Sequence, residues 1–228
     1  MFAFGPSDYS AIFVSVKVAV VATLISLPLA FTVAYCMTFK RFKGMLVLDV
    51  LVNLPLTLPP VVIGYLLLML LGQNGWIGTW LLQPLGIRII FTWKAAVIAT
   101  MVVGFPLMVR AIRTNMEAID RRLVDASRLL GAGCLDSIFT IIVPLCFRGL
   151  IAGSLLMFAR GLGEFGATII VAGNIPGVTQ TIPLAIYDYV SSPNREVMAM
   201  ALCCVSITIS VVVLIVHEWL GKRMGRRA

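Results

Sequence analysis

Long stretches whose apolar side chains fill every helical face alternate with shorter polar stretches along the whole chain. The apolar segments fall at about 11–39, 46–72, 91–112, 150–172 and 197–220. Each is long enough to cross ~30 Å of hydrocarbon at ~1.5 Å per helical residue. Hydrophobicity on all sides, without strand-like alternation, predicts helices buried in lipid. The expected fold is an all-α membrane protein of about five transmembrane helices, one domain over 1–228 with its core at about 11–218. Two connections exceed a turn. One, 173–196, opens with Gly-Asn-Ile-Pro-Gly and carries Thr181 and Pro183 as start signals for a short helix over 184–190. The other, 113–148, is too polar for the membrane.

Composition agrees with this class: 60% of the 228 residues are hydrophobic, 12% are charged, and the mean hydropathy is +1.02. Soluble, disordered, collagen-like and disulfide-scaffold chains are excluded. Eighteen Lys and Arg stand against ten Asp and Glu, a balance that in a soluble protein suggests nucleic acid. Sorted by loop, thirteen cations lie on one side, including Lys40, Arg41, Lys43, Arg110, Arg113, Arg148, Arg226 and Arg227. The other side has four, Lys17, Arg88, Lys94 and Arg195. The asymmetry predicts an external amino terminus and a cytoplasmic carboxy terminus, with the bilayer and not nucleic acid as the contact. Trp76, Trp80 and Trp93 at the outer interface and Trp219 at the inner one form an aromatic belt. Asp8, with no basic run before the first apolar stretch, argues against a cleavable leader.

Catalytic chemistry finds no support. Ser154 and His217, the single histidine, sit at different depths, and that histidine cannot ligate a haem from two sides. Five cysteines without a CxxC pair predict neither metal site nor disulfide framework. No GxxxxGK[ST] phosphate loop is present, so ATP-driven work would require another polypeptide.

In the 113–148 connection, Ile119, Leu123, Ala126, Leu129 and Leu130 recur near helical spacing and predict an amphipathic helix with a basic outer face. Gly131 and Gly133 end it, and a second helix is expected over 134–142. The run Asp125-Ala126-Ser127-x-x-x-Gly131, nine residues, then Ile141-x-Val143-Pro144 resembles the EAA-xxx-G-x9-I-x-L-P signature of ABC importer membrane subunits. The departures, Asp for Glu, Ser for Ala and Val for Leu, are conservative. The resemblance implies a type I ABC importer transmembrane fold in which this segment is the coupling helix on a cytoplasmic ATPase. Arg121, Arg122, Asp125, Ala126, Ser127, Arg128, Gly131, Ala132, Ile141 and Pro144 then belong to the coupling surface. The small residues suit close backbone approach, and the arginines suit acidic partner groups.

Polar residues inside the spans form the second set of candidates. In the second span Asn53, Pro55, Thr57, Pro59, Pro60 and Gly64 interrupt apolar sequence, and a straight helix cannot run through three prolines. Such a break is either a static kink or the lining of a cavity. The fourth span holds Arg160, Gly163, Glu164 and Gly166. A charge at the bilayer centre costs roughly 2.5 to 3.5 kcal/mol on insertion scales, so Arg160 and Glu164 are expected to face protein or water. Four residues apart, they could form a structural ion pair, or Arg160 could attract a passing anion while Glu164 limits its hold. Gly149 and Gly153 offer a small-xxx-small packing face.

The runs Leu54 to Tyr65, Phe105 to Arg113, Phe158 to Thr168, and Gly173 to Gly177 with Thr181-Ile-Pro183 resemble molybdate permease subunits, with tungstate and sulfate permeases as relatives sharing Gly-Glu-Phe-Gly. The resemblance implies a bacterial-type inner-membrane homodimer, two ATPase subunits carrying ATP and Mg, and an external oxyanion-binding protein, with no cofactor or metal on this chain. A gradient-driven secondary transporter is the rival class. It would explain the charged, broken spans, but an odd span count and no evident inverted repeat oppose it.

Overall fold

The computed structural model describes residues 4–40, 42–79, 86 and 88–225; Arg41, Trp80, Arg226 and Arg227 lie outside them. Helix α1, Pro6–Phe39, starts where Gly5 is extended and Pro6 needs no backbone donor. The Asp8 carboxylate accepts from the Gly5 N–H at 2.8 Å. Pro28 lies inside α1 without ending it. Ala11, Val14, Val18, Ala19, Ala22, Ala30 and Ala34 are buried along one stripe, while Phe13, Leu24, Ile25 and Leu29 project outward. Small residues inward and bulky ones outward is the order expected where lipid, and not water, lies outside.

The second apolar stretch is two helices, α2 (Met45–Thr57) and α3 (Pro60–Leu71). Pro55 is accommodated within α2; the break falls at Leu58 and Pro59, both extended. Helix α4, Trp93–Glu117, is central and packs against α1, α2 and α3. Next come α5 (Arg121–Leu129) and α6 (Cys134–Leu145), the latter with a π-helical turn at Ile138–Ile142. Helix α7, Phe147–Leu162, leaves α6 at a 70° bend. The predicted span at 150–172 is not one helix either: α7 stops at Leu162, and α8, Gly166–Ala172, restarts after a break. The short helix expected over 184–190 is α9, Ile182–Val190, with Pro183 in its first turn and Thr181 at the N-cap position without a side-chain cap bond. Helix α10, Glu196–Gly225, is the last described element. Among the described residues, four helical stretches are long and apolar enough to cross a membrane, or five if α6 and α7 count as one broken span.

Two clusters form the core. The larger joins α1, α4, α7 and α8 and reaches Val124 of α5 and Ile142 of α6. The smaller unites Ala11 of α1 with Ile182, Ala185 and Tyr189 of α9 and with Ala199 and Leu202 of α10. Glycine sets the spacing. A Cβ on Gly153 would lie 3.1 Å from the Met108 carbonyl oxygen, and one on Gly149 2.6 Å from Asn115 Cβ. A Cβ on Gly64 would meet the backbone of Ala167 at 2.9 Å, so α3 and α8 touch main chain to main chain. Because backbone cannot swing aside as a side chain can, Gly64→Ala is expected to destabilise the fold by about 1–3 kcal/mol. Thermal unfolding of the detergent-solubilised chain checks this; an unchanged midpoint would show that α3 and α8 separate freely.

Candidate functional site

The two helix breaks meet. A Cβ on Gly166, the first residue of α8, would lie 2.9 Å from Pro60 Cβ, the first residue of α3. Four expected pathway residues, Pro59, Pro60, Gly64 and Gly166, are thus gathered at one crossing of α3 and α8, and Gly163 and Glu164 form the break in the opposing chain. Glu164 holds this crossing. It is 2% exposed; its Oε1 accepts from the Ala167 N–H at 2.9 Å, capping α8, and its Oε2 lies 2.8 Å from Arg160 Nη1. A carboxylate at a helix start satisfies a backbone donor that the break would otherwise orphan. Arg160 is differently placed, with its side chain 31% exposed. A guanidinium has five donors in a rigid fork. With Glu164 engaged at α8, Arg160 retains donors for a group outside the pair. The ion pair and an anion-attracting role are therefore compatible in one geometry.

Asn53, Pro55 and Thr57 are not part of that crossing. Thr57 is exposed and bonds back to the Leu54 carbonyl at 2.8 Å. Pro55 lines an apolar cavity of about 310 Å³ with Leu51, Val52, Met101, Val102 and Phe105. Asn53 enters a polar network that charge counting alone does not reveal. Its amide donates to Asp49 Oδ1 at 3.0 Å, and its oxygen accepts from Arg110 Nε at 2.9 Å. Arg113 pairs with Asp49 at 3.2 Å and with Glu117 at 2.7 Å. The sequence signal is the (i, i+4) spacing of Asp49 and Asn53 opposite the (i, i+3) spacing of Arg110 and Arg113. These arginines fasten α2 to α4 besides contributing to charge asymmetry.

The 113–148 connection is a separate surface. Asp120 caps α5 by accepting from the Arg122 N–H at 2.9 Å. The expected amphipathic helix is present with Arg121, Arg122 and Arg128 exposed, but its leucines are exposed too: Leu123, Leu129 and Leu130 lie open, the last two to nearly 90%, while Val124 turns inward and Ile119 is buried before the helix starts. Periodicity identifies an apolar face but not which molecule covers it, and this chain's own core takes the adjacent face. Ser127 lies on the inner side, its Oγ 2.8 Å from Ser137 Oγ. Asp125, Ala126 and Arg128 are exposed, Ala132 and Ile141 half-buried, and Pro144 exposed near the bend. Gly131 turns the chain with φ +88°, a conformation that favours glycine, and a Cβ there would meet nothing within 4 Å. Arg121 reaches across to α1, where Nη2 donates to the Thr38 carbonyl at 3.0 Å. Among the described residues, no group of three or more His, Cys, Asp or Glu is placed to hold a metal.

Residues 18–226 match the family described as binding-protein-dependent transport system inner membrane component. The chain is 49% identical over 220 residues to the molybdenum transport system permease protein ModB of Haemophilus influenzae, covering 96% of each. It is 32% identical to the sulfate transport system permease protein CysW of Synechococcus elongatus, covering 94% of this chain and 76% of that one. Its fold is shared with a bacterial alginate ABC transporter solved in complex with an alginate pentasaccharide-bound periplasmic protein, at a TM-score of 0.76 and 14% identity, covering 96% of this chain and 80% of the other. The chain therefore belongs to the family of inner-membrane components of binding-protein-dependent transport systems.

Proposed function

We propose that this chain is the permease subunit of an ATP-driven importer and forms the membrane path for molybdate or a closely related tetrahedral oxyanion. The observation that carries the reading is the 49% identity over nearly the full length to a permease named for molybdenum transport, against 32% to one named for sulfate. The chemistry of the crossing suits such a cargo. Arg160 offers a bidentate fork to an oxyanion, and buried Glu164 weakens its net field so that the anion is passed on and not trapped. The pathway assignment comprises Pro59, Pro60, Gly64, Arg160, Gly163, Glu164 and Gly166, with Asn53, Pro55 and Thr57 nearer its inner portion. Two copies of this chain would enclose the path, with their amino termini outside and carboxy termini in the cytoplasm.

Energy would enter through Arg121, Arg122, Asp125, Ala126, Ser127, Arg128, Gly131, Ala132, Ile141 and Pro144, docked on a cytoplasmic ATPase that holds ATP and Mg. Exposed Leu129 and Leu130 beside the Gly131 turn support this, because two neighbouring leucines left open are suited to a partner's groove. An external binding protein would deliver the anion; the periplasmic protein in the alginate complex is of that kind. ATP binding would draw the coupling segments together and open the path outward, and hydrolysis would reset it.

ATP-dependent uptake of labelled molybdate by the reconstituted complex is expected to be competed by tungstate and not by sulfate. Sulfate competition would favour the sulfate-permease reading, and uptake without ATP would favour a gradient-driven carrier. Gly131→Asp strains the φ +88° turn but meets no neighbour within 4 Å, so it is expected to distort the coupling surface and abolish ATPase co-purification while the chain stays inserted; normal uptake by that variant would remove the coupling assignment. Arg160→Ala leaves the buried Glu164 carboxylate unpaired, a cost of about 3 kcal/mol for a partly exposed pair, and is expected to slow uptake. Adding Glu164→Gln, which keeps an acceptor for Ala167, should restore much of the loss. Full activity of Arg160→Ala alone would confine the pair to packing.

A further inference from the structure

Helix α1 makes specific contacts at both its ends with segments that belong to opposite faces of the protein. Near its start, Tyr189 Oη of α9 donates to Asp8 Oδ1 at 2.5 Å, and the Ile182 N–H at the head of α9 donates to Ser15 Oγ at 2.7 Å. Asp8 and Ser15 are each 2% exposed, so neither bond is shared with solvent. Ala11 packs between them in the cluster that contains Ile182, Ala185 and Tyr189. Near its finish, Arg121 of α5 donates to the Thr38 carbonyl, and Tyr35 Oη lies 3.6 Å from Cys134 Sγ at the head of α6. The two sets of contacts are about 20 to 30 residues apart, or ~30–45 Å of helix.

Several of the other described helices are interrupted or end elsewhere. Helices α2 and α3 are separated by a break, as are α7 and α8. Helix α4 is continuous and leads into α5, but at its far end Trp93 meets Lys17 of α1 in a cation–π contact at 3.9 Å, and α4 contributes nothing to the α9 cluster. A push on a broken helix is absorbed at the break; an unbroken rod fixed at both ends carries it across. Burial, reinforced by the Asp8 bond, holds the Tyr189 phenol above its ordinary range, so the hydroxyl remains a donor at any physiological pH.

We propose that α1 is the connecting rod of the transport cycle: it transmits displacement of the coupling segment, through Thr38 and Tyr35, to the opposite-face helix α9, through Ser15 and Asp8. This rests on the reading of α5 and α6 as the ATPase-docking segment. It makes Asp8, Ser15, Tyr35 and Tyr189 positioning residues, since none of them touches the crossing at Arg160 and Glu164. A coupling claim requires an element whose state both ends bias, and α1 is the element that both ends grip.

The test uses two thiol reporters in the full complex with its ATPase subunits, each mapped by mass spectrometry after maleimide labelling. Cys134, exposed on the coupling segment, reports ATPase engagement, and Val190→Cys, at a position 65% exposed at the end of α9, reports the opposite face. In the otherwise unaltered chain, ATP with vanadate is expected to change the labelling rate at both positions several-fold. With Tyr189→Phe and Ser15→Ala added, the response at Cys134 is expected to persist and that at position 190 to vanish. Asp8→Asn, which keeps a carbonyl oxygen for Tyr189 and gives up the acceptor for the Gly5 N–H at the first turn of α1, should retain both. A full response at position 190 in the Tyr189→Phe, Ser15→Ala chain overturns the rod, as does its complete loss in an Asp8→Asn chain that unfolds at the unaltered midpoint. If Cys134 does not respond even in the unaltered chain, the coupling-segment reading fails first and the rod falls with it.

Discussion

Inside a bilayer there is no water to satisfy a broken helix, and this fold depends on how that constraint is met at Glu164. One carboxylate serves two ends: one oxygen caps the restart of α8 at Ala167, and the other neutralises Arg160. Because the break is closed from within, α8 can stay short and lie against α3 without a side chain between Gly64 and Ala167. The crossing of the two breaks follows, and with it a place where a guanidinium stands beside irregular backbone deep in the apolar sequence. The Glu164 carboxylate that closes the break is itself buried, while Gly163 and the facing Pro59 stay exposed, so the irregular backbone opens on one side only.

Most of the helical architecture was legible in the sequence because its signal is local. Apolar runs announce spans, and Pro59 and Pro60 announce a lost donor, so the first break was readable to within a few residues. The second break was not, although Gly163 and Gly166 were visible. Glycines permit a break without requiring one, and the group that requires it, the Glu164 cap, acts through space. What covers the apolar face of α5 is not legible for a related reason. Spacing groups Leu123, Leu129 and Leu130, but whether a face turns to its own core or to another protein is decided by neighbours far away in the chain.

The candidate site divides along the same line. Arg160 and Glu164 could be paired from sequence because four residues separate them, and the glycine-centred turn could be placed because its pattern is contiguous. The Asp49, Asn53, Arg110 and Arg113 network crosses from α2 to α4, and Asp8 meets Tyr189 from 181 positions away. Such bonds leave no periodicity. Arginines counted as markers of sidedness proved also to be fasteners, a second role that a count cannot express.

The bare leucines at the end of α5 bear on biogenesis. On the importer reading, a newly inserted copy displays Leu129 and Leu130 to the cytosol until an ATPase arrives, and it is the kind of surface that chaperones and quality-control proteases bind. Survival of the subunit then depends on the supply of its partner. The two polypeptides would accumulate in matched amounts without any matching of their synthesis, so a feature shaped for docking would also set stoichiometry in the membrane.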